Sequence, residues 1–211
     1  MTIGTVELPE GEPPHPALLL QARPAAVASD SAVVLDTGDP RAVAAYERAF
    51  YEAFAAIRPD GLLRKLWIWD DEAGRLRSPV PYEDQIVYAD RGNDGSVRRG
   101  LAVNIGGRMQ QAATFGFVLP LEEPGSTEML TFFADGDHEL AHLIAFWGRC
   151  CRDLQSRGIV TGYGTAARRP LPVYRRFGAQ IVERAEIDGE IRFLLRFDLR
   201  KTWFVRRTGE G

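Results

Sequence analysis

From Arg41 to about Ile57 the apolar residues Val43, Ala44, Phe50, Phe54 and Ala55 recur mostly at three- and four-residue spacings, the period of a helix with one buried face. Thr37-Gly-Asp-Pro40 just before it supplies a capping side chain and a proline suited to a first turn. Residues 31–36 ahead of it read as strand-like, and after it comes a short apolar run, 66–69, followed by the turn-like acidic stretch 70–74. Residues 85–89 and 97–105 flank the turn dipeptide Asp94-Gly95 and predict a β-hairpin, and 114–119 and 127–133 predict two further strands. The strongest helical pattern follows, opening at Asp135-Gly-Asp-His138 and running to about Arg157, where Gly158 stops it. A strand over 159–165, a short helix over 171–177 ended by Gly178, and a hairpin of 180–187 with 190–199 turning at Asp188-Gly189 complete the order.

Strands and helices in this order predict an α+β fold, with a mixed, mostly antiparallel sheet flanked by helices. The chain has 211 residues, 45% of them hydrophobic, enough for a substantial core, which excludes a disordered or fibrous protein. Residues 1–30 carry Pro9, Pro13, Pro14, Pro16 and Pro24 with little periodicity and are expected to form an extended arm, with 31–211 as one domain. With 26 Lys+Arg against 29 Asp+Glu there is no global basic field, so neither nucleic acid nor an anionic membrane is an expected partner. The longest apolar run near the N-terminus is residues 17–20, with no Lys or Arg before it, so no signal peptide or spanning helix is drawn and a cytoplasmic protein is expected. Cys150 and Cys151 are the only cysteines and give no disulfide framework. Lys65 and Lys201 are the only lysines, an Arg bias in keeping with a GC-rich bacterium.

Residues 159–199 hold a strand, a short helix of the form Tyr-x-x-hydrophobic-Gly, here Tyr174-Arg-Arg-Phe177-Gly178, and a closing antiparallel pair. This block resembles the last third of the GCN5-related N-acetyltransferases (GNAT). The strand 128–133 and the long helix 138–157 occupy the places of that family's donor-binding unit. Residues 46–54 and Tyr82-Glu-Asp-Gln85 resemble the N-acyl amino acid synthase and autoinducer-synthase branch. The resemblance implies transfer of an acyl group from a thioester, acyl-CoA or the acyl pantetheine of an acyl-carrier protein, to a small-molecule amine, in bacterial specialised metabolism, with no metal. It makes Glu128 the candidate general base, Tyr174 the proton donor to the departing thiolate, and the backbone of Leu130, Thr131, Phe132 and Phe133 the candidate oxyanion site.

One departure stands out. Family members with a coenzyme A donor carry a Gly-rich motif at the start of the long helix, where free N–H groups bind pyrophosphate; here Ala134-Asp-Gly-Asp-His-Glu139 stands there, and Asp135 and Asp137 would repel a phosphate. Arg168, Arg169, Arg175 and Arg176 surround Tyr174 and offer a compensating cation source for phosphates or an acidic carrier protein, although a solvated basic face fits them too. Asp70, Asp71 and Asp84 are candidates to receive a cationic acceptor amine.

His138-Glu-Leu-Ala-His142 is a literal HExxH, which places both imidazoles on one helix face with Glu139 as base and opens an alternative, a zinc-dependent hydrolase. Against it, Leu140, Leu143, Ile144, Trp147, Cys151 and Leu154 form the apolar stripe and the two histidines lie nearly opposite; the positions of a metzincin third ligand are also held by Ala145 and Gly148. A non-catalytic GNAT-like binding subunit is the third reading.

Overall fold

Asp39 and Pro40 start the first helix as the sequence predicts. Asp39 accepts a hydrogen bond from the Arg41 N–H at 2.8 Å and Pro40 takes the first helical position, giving α1 (Pro40–Phe54). The computed structural model describes residues 33–57, 61–135 and 140–201, so the expected arm over 1–30 lies outside the described residues. After α1 come α2 (Leu62–Leu66) and a two-stranded ribbon of β1 (Ile68–Asp70) and β2 (Arg75–Arg77). Then follow β3 (Gln85–Arg91), β4 (Val97–Asn104), α3 (Gln111–Thr114), β5 (Ser126–Ala134) and α4 (Leu140–Ser156). The chain continues through β6 (Thr161–Ala167), α5 (Leu171–Arg176), β7 (Gln180–Ile187) and β8 (Glu190–Asp198).

Six of these strands form one sheet in the order β3-β4-β5-β6-β8-β7, with β5–β6 the single parallel pair. This is the mixed, mostly antiparallel α+β sheet the sequence predicts. One face packs under α1 and α2 through Tyr46, Phe50, Leu63, Trp67, Leu130 and Phe133. The other packs under α4 and α5 through Met129, Leu143, Trp147, Leu171, Phe177 and Phe197. The turn glycines act as read: Gly158 and Gly178 have φ of 80° and 85° at the ends of α4 and α5, and Asp188 and Gly189 both have positive φ between β7 and β8.

Two expectations need correction. Residues 114–119 are not a strand: Thr114 ends the single turn of α3, and Phe115, Phe117 and Leu119 are buried from an irregular segment. Their alternation imitates a strand, but Gly116 at φ 77° takes the backbone out of the extended region. Among the described residues of 31–36, which begin at Val33, only the isolated bridge Val34↔Tyr88 forms, on the outer edge of β3. No helix among the described residues is long and apolar enough to cross a membrane.

The α1 face depends on a missing side chain at Gly100. A Cβ there would lie 2.3 Å from Phe133 Cε1 and 2.7 Å from Tyr46 Cε2, rings whose centroids are 5.4 Å apart. Gly100→Ala is therefore expected to cost about 1–3 kcal/mol through overpacking, read as a lower thermal midpoint. An unchanged midpoint would mean that the two rings move aside freely.

Candidate active site

The parallel pair at the centre of the sheet is held by only four register pairs, from Ser126↔Thr161 to Met129↔Gly164. Beyond Met129, β5 continues to Ala134 bonded to β4 alone, and beyond Gly164, β6 continues to Ala167 bonded to β8 alone. The two strands part at a β-bulge: Ala102 faces Thr131 and Val103 faces Met129, which leaves Leu130 as the extra residue. A bulge bends its strand and sharpens its twist, so it turns β5 away where pairing stops. The gap opens into a cleft of about 960 Å³ lined from both faces of the sheet, by Trp67, Phe115 and Leu130 on the α1 side and by Trp147, Tyr174 and Phe197 on the α4 side. Leu130, Thr131, Phe132 and Phe133 all line it, as does Gly164 on the opposite strand. These four residues are the candidate oxyanion site of the sequence reading, and their place on the lining is what that role would require.

The bulge is fastened from above. Gln111 donates from Nε2 to the Leu130 carbonyl at 2.8 Å and accepts from Trp67 Nε1 at 2.7 Å. Glu128 in turn holds the start of α3, accepting from the N–H groups of Ala112 at 2.5 Å and Gln111 at 2.9 Å, and from Asn104 Nδ2 at 3.1 Å. Glu128 is 1% exposed and is not among the residues lining the cleft. Burial pushes its carboxyl up from the ordinary range, against the pull of its three donors. The sequence reading made Glu128 the base; its lone pairs point instead at backbone amides, and its place in the fold is that of a strut for Gln111. Tyr46 and Thr131 share a hydrogen bond of 3.2 Å between their hydroxyls at the α1 side of the cleft.

On the α4 side Tyr174 lies among Phe132, Phe177 and Phe197, with ring centroids 6.1–6.5 Å away. Its hydroxyl has no hydrogen-bond partner among the described residues, it lines the cleft, and burial pushes its pKa up to about 12. A phenol that keeps its proton through the neutral range is suited to donate it. Arg169 lines the cleft mouth, whereas Arg168 and Arg175 are exposed outside the lining. The acidic start of the long helix is partly neutralised, since Asp135 forms an ion pair with Arg98 at 2.9 Å. Asp137, His138 and Glu139 lie outside the described residues.

Asp70 and Asp84 are not brought to the cleft. Asp70 is exposed and accepts from the Ala73 N–H in the β1–β2 turn, while Asp84 is buried and bonded to Arg108 at 2.6 Å. Acidic residues near a hairpin looked able to meet an amine, but turn formation and ion pairing use these two. His142 is half-buried on α4, and among the described residues no three metal-ligating side chains converge. The sequence reading missed Gln111, Trp67, Phe115, Glu190 and Arg192, all of which shape the cleft on the α1 side. Glu190 and Arg192 fall on the more polar side of the β8 alternation, which reads as solvent-facing until α2 and α3 are seen to cover it.

No protein-family model and no curated protein matches the chain. Solved structures do. TofI, in a ternary complex with an inhibitor and MTA, aligns at a TM-score of 0.61 and 15% identity over 80% of this chain and 91% of its own. BjaI, a CoA-dependent acyl-homoserine lactone synthase, with SAM and isopentyl-CoA, aligns at 0.56 and 15% identity over 76% of this chain and 79% of its own. A GNAT-family protein from Desulfovibrio desulfuricans aligns at 0.52 and 11% identity over 80% of this chain and 99% of its own. With its six-stranded sheet, single parallel pair and central splay, the chain has the GCN5-related N-acetyltransferase fold.

Proposed function

We propose that this protein is an N-acyltransferase that moves an acyl group from a thioester to the amine of a small molecule. The observation that carries this reading is the splay of β5 from β6 past Met129↔Gly164, which makes a cleft reaching both faces of the sheet. A pantetheine arm enters from the α4 and α5 side and the amine from the α1 and α2 side, so the thioester carbonyl sits at the bulge. The donor is a thioester of coenzyme A or of a carrier protein, whose phosphates or acidic surface meet Arg168, Arg169 and Arg175 at the α5 mouth. BjaI, which shares the fold and is described as a CoA-dependent acyl-homoserine lactone synthase, is crystallised with isopentyl-CoA.

The ammonium first loses one proton to water at the α1-side mouth, where Asp188 and Glu190 are the carboxylates of the described lining. The nitrogen lone pair adds to the carbonyl carbon, and the oxyanion is met by N–H groups on the unpaired edge of residues 130–133. The C–S bond then breaks, the C–N bond remains as an amide, and the thiolate takes its proton from Tyr174, which recovers one from the nitrogen through water.

Thermal shift with acetyl-CoA, longer acyl-CoA thioesters, an acyl pantetheine and an acylated carrier protein tests the reading. At least one of them is expected to stabilise the chain by about 3 kcal/mol at a hundredfold excess over its dissociation constant. Arg169→Glu should weaken that binding. No shift with any of them at about millimolar concentration, where even weak donor binding registers, would overturn the reading.

A further inference from the structure

The bulge in β5 does more than part the strands, because it changes the face that Thr131 takes. Side chains along a strand alternate between its two faces. Here Leu130 packs into the core under α1, Thr131 bonds to Tyr46 of α1, and Phe132 packs on the α4 side. Two consecutive residues share the α1 face because Leu130 is the extra residue of the bulge. In a regular strand Thr131 would turn towards α4, away from Tyr46. The bulge therefore sets a hydroxyl on the cleft lining, two residues beyond the last pair that joins β5 to β6.

The Tyr46 and Thr131 hydroxyls hold two hydrogens and share one hydrogen bond, at 3.2 Å. What surrounds each of them decides which one donates. Tyr46 is 2% exposed, packs against Phe50 and Phe133, and does not line the cleft. Its neighbour Glu47 is turned towards Tyr82 and Arg75, so among the described residues Thr131 Oγ1 is the acceptor that the phenol reaches. Burial pushes the Tyr46 phenol above the ordinary tyrosine range, so it keeps its proton, and a buried O–H without an acceptor is costly. Tyr46 is accordingly the donor. The Thr131 hydrogen then has no acceptor among the described residues, and the cleft is the space left for it.

We infer that Thr131 is a catalytic residue whose hydroxyl donates a hydrogen bond to the carbonyl oxygen of the thioester, and that Tyr46 is the positioning residue that aims it. This rests on the acyltransferase reading and deepens it by naming a side chain that meets the reacting carbonyl. As the nitrogen lone pair adds to the carbonyl carbon, the C=O π pair moves onto this oxygen and the hydrogen bond strengthens. No proton leaves Thr131, and the pair returns to the carbonyl when the C–S bond breaks. The hydroxyl joins the N–H groups of 130–133 as a donor fixed before the reaction, which is where such stabilisation is worth most. The hydrogen bond that Oγ1 accepts from Tyr46 polarises the hydroxyl and makes it a better donor.

The test uses an acyl thioester already shown to bind, labelled with carbon-13 at its carbonyl. Infrared difference spectra of the bound thioester read the contact without turnover: the carbonyl band is expected at lower frequency in the natural chain than in Thr131→Val. With any amine the protein acylates, Thr131→Val should lower kcat by roughly 100-fold while donor affinity holds, the cost of one oxyanion donor. Thr131→Ser should recover most of that loss. Tyr46→Phe should lower kcat by about 10-fold, the worth of one hydrogen bond, and should cost nothing further once Thr131 is Val, because Tyr46 acts through Thr131 alone. If Thr131→Val does not fold, the double variant takes its place, since removing both partners leaves no buried hydroxyl unpaired.

An unmoved carbonyl band, or an unchanged kcat, in Thr131→Val or in the double variant would overturn the inference while donor binding stands. Losses from the two substitutions that simply multiply would overturn the positioning role of Tyr46. Failure of every thioester to bind would instead remove the acyltransferase reading beneath it, and this assignment with it.

Discussion

Glu128→Ala is expected to lower the stability of the fold by about 3–5 kcal/mol, because it strips the acceptor from three buried donors at once. Those donors are the N–H groups of Gln111 and Ala112 and the Asn104 amide, each from a residue no more than 4% exposed. With α3 released, Gln111 loses its hold on the Leu130 carbonyl and the bulge that parts β5 from β6 is no longer fixed. Glu128→Gln keeps one acceptor oxygen and should recover part of the loss. Chemical denaturation checks this, and it separates a strut from a base: a base would lose about 100-fold or more in kcat as Gln with the midpoint unchanged. A normal midpoint with abolished turnover in Glu128→Gln would contradict the role of Glu128 as a strut.

On the proposed acyl transfer, Tyr174→Phe is expected to lower kcat by roughly 100-fold or more with little change in donor affinity, since it would remove the proposed proton source for the departing thiolate and keep the ring that packs on Phe132 and Phe197. The pH profile carries the sign. A phenol raised to about 12 stays protonated as the solution is made basic, so its contribution is retained until the pH approaches that value. With acyl transfer as proposed, the natural protein should therefore gain activity with pH as the acceptor amine deprotonates and show no falling limb between about pH 7 and about pH 10. A falling limb near the ordinary tyrosine value of about 10 that disappears in Tyr174→Phe would show an unshifted phenol and contradict the buried site.

Most of the fold was legible because its signals are local. Asp39-Pro40 starts α1, Gly158 and Gly178 stop α4 and α5, and Asp188-Gly189 turns the last hairpin, each through the backbone angle it favours. Residues 114–119 misled because burial alternates there without pairing, and Gly116 bends the segment out of the sheet. Within the candidate site, residues 130–133 and Tyr174 come from the resemblance of their surroundings, and all of them line the cleft. The burial of Glu128 was not legible because it depends on α3, a single turn too short to leave a periodic signature. Arg192 was hidden for the opposite reason: its neighbours alternate as a half-exposed strand should, and only the covering of β8 through Leu62 and Phe115 turns a surface arginine into a buried one.

The central claim is that acyl transfer takes place in the gap between β5 and β6. A crystal structure of the chain with a hydrolysis-resistant acyl thioester analogue tests it most directly. The account predicts the analogue's carbonyl between residues 130–133 of β5 and 165–167 of β6, with its sulfur on the Tyr174 side. An analogue bound elsewhere on the surface, with that gap closed by its own side chains, would contradict the account.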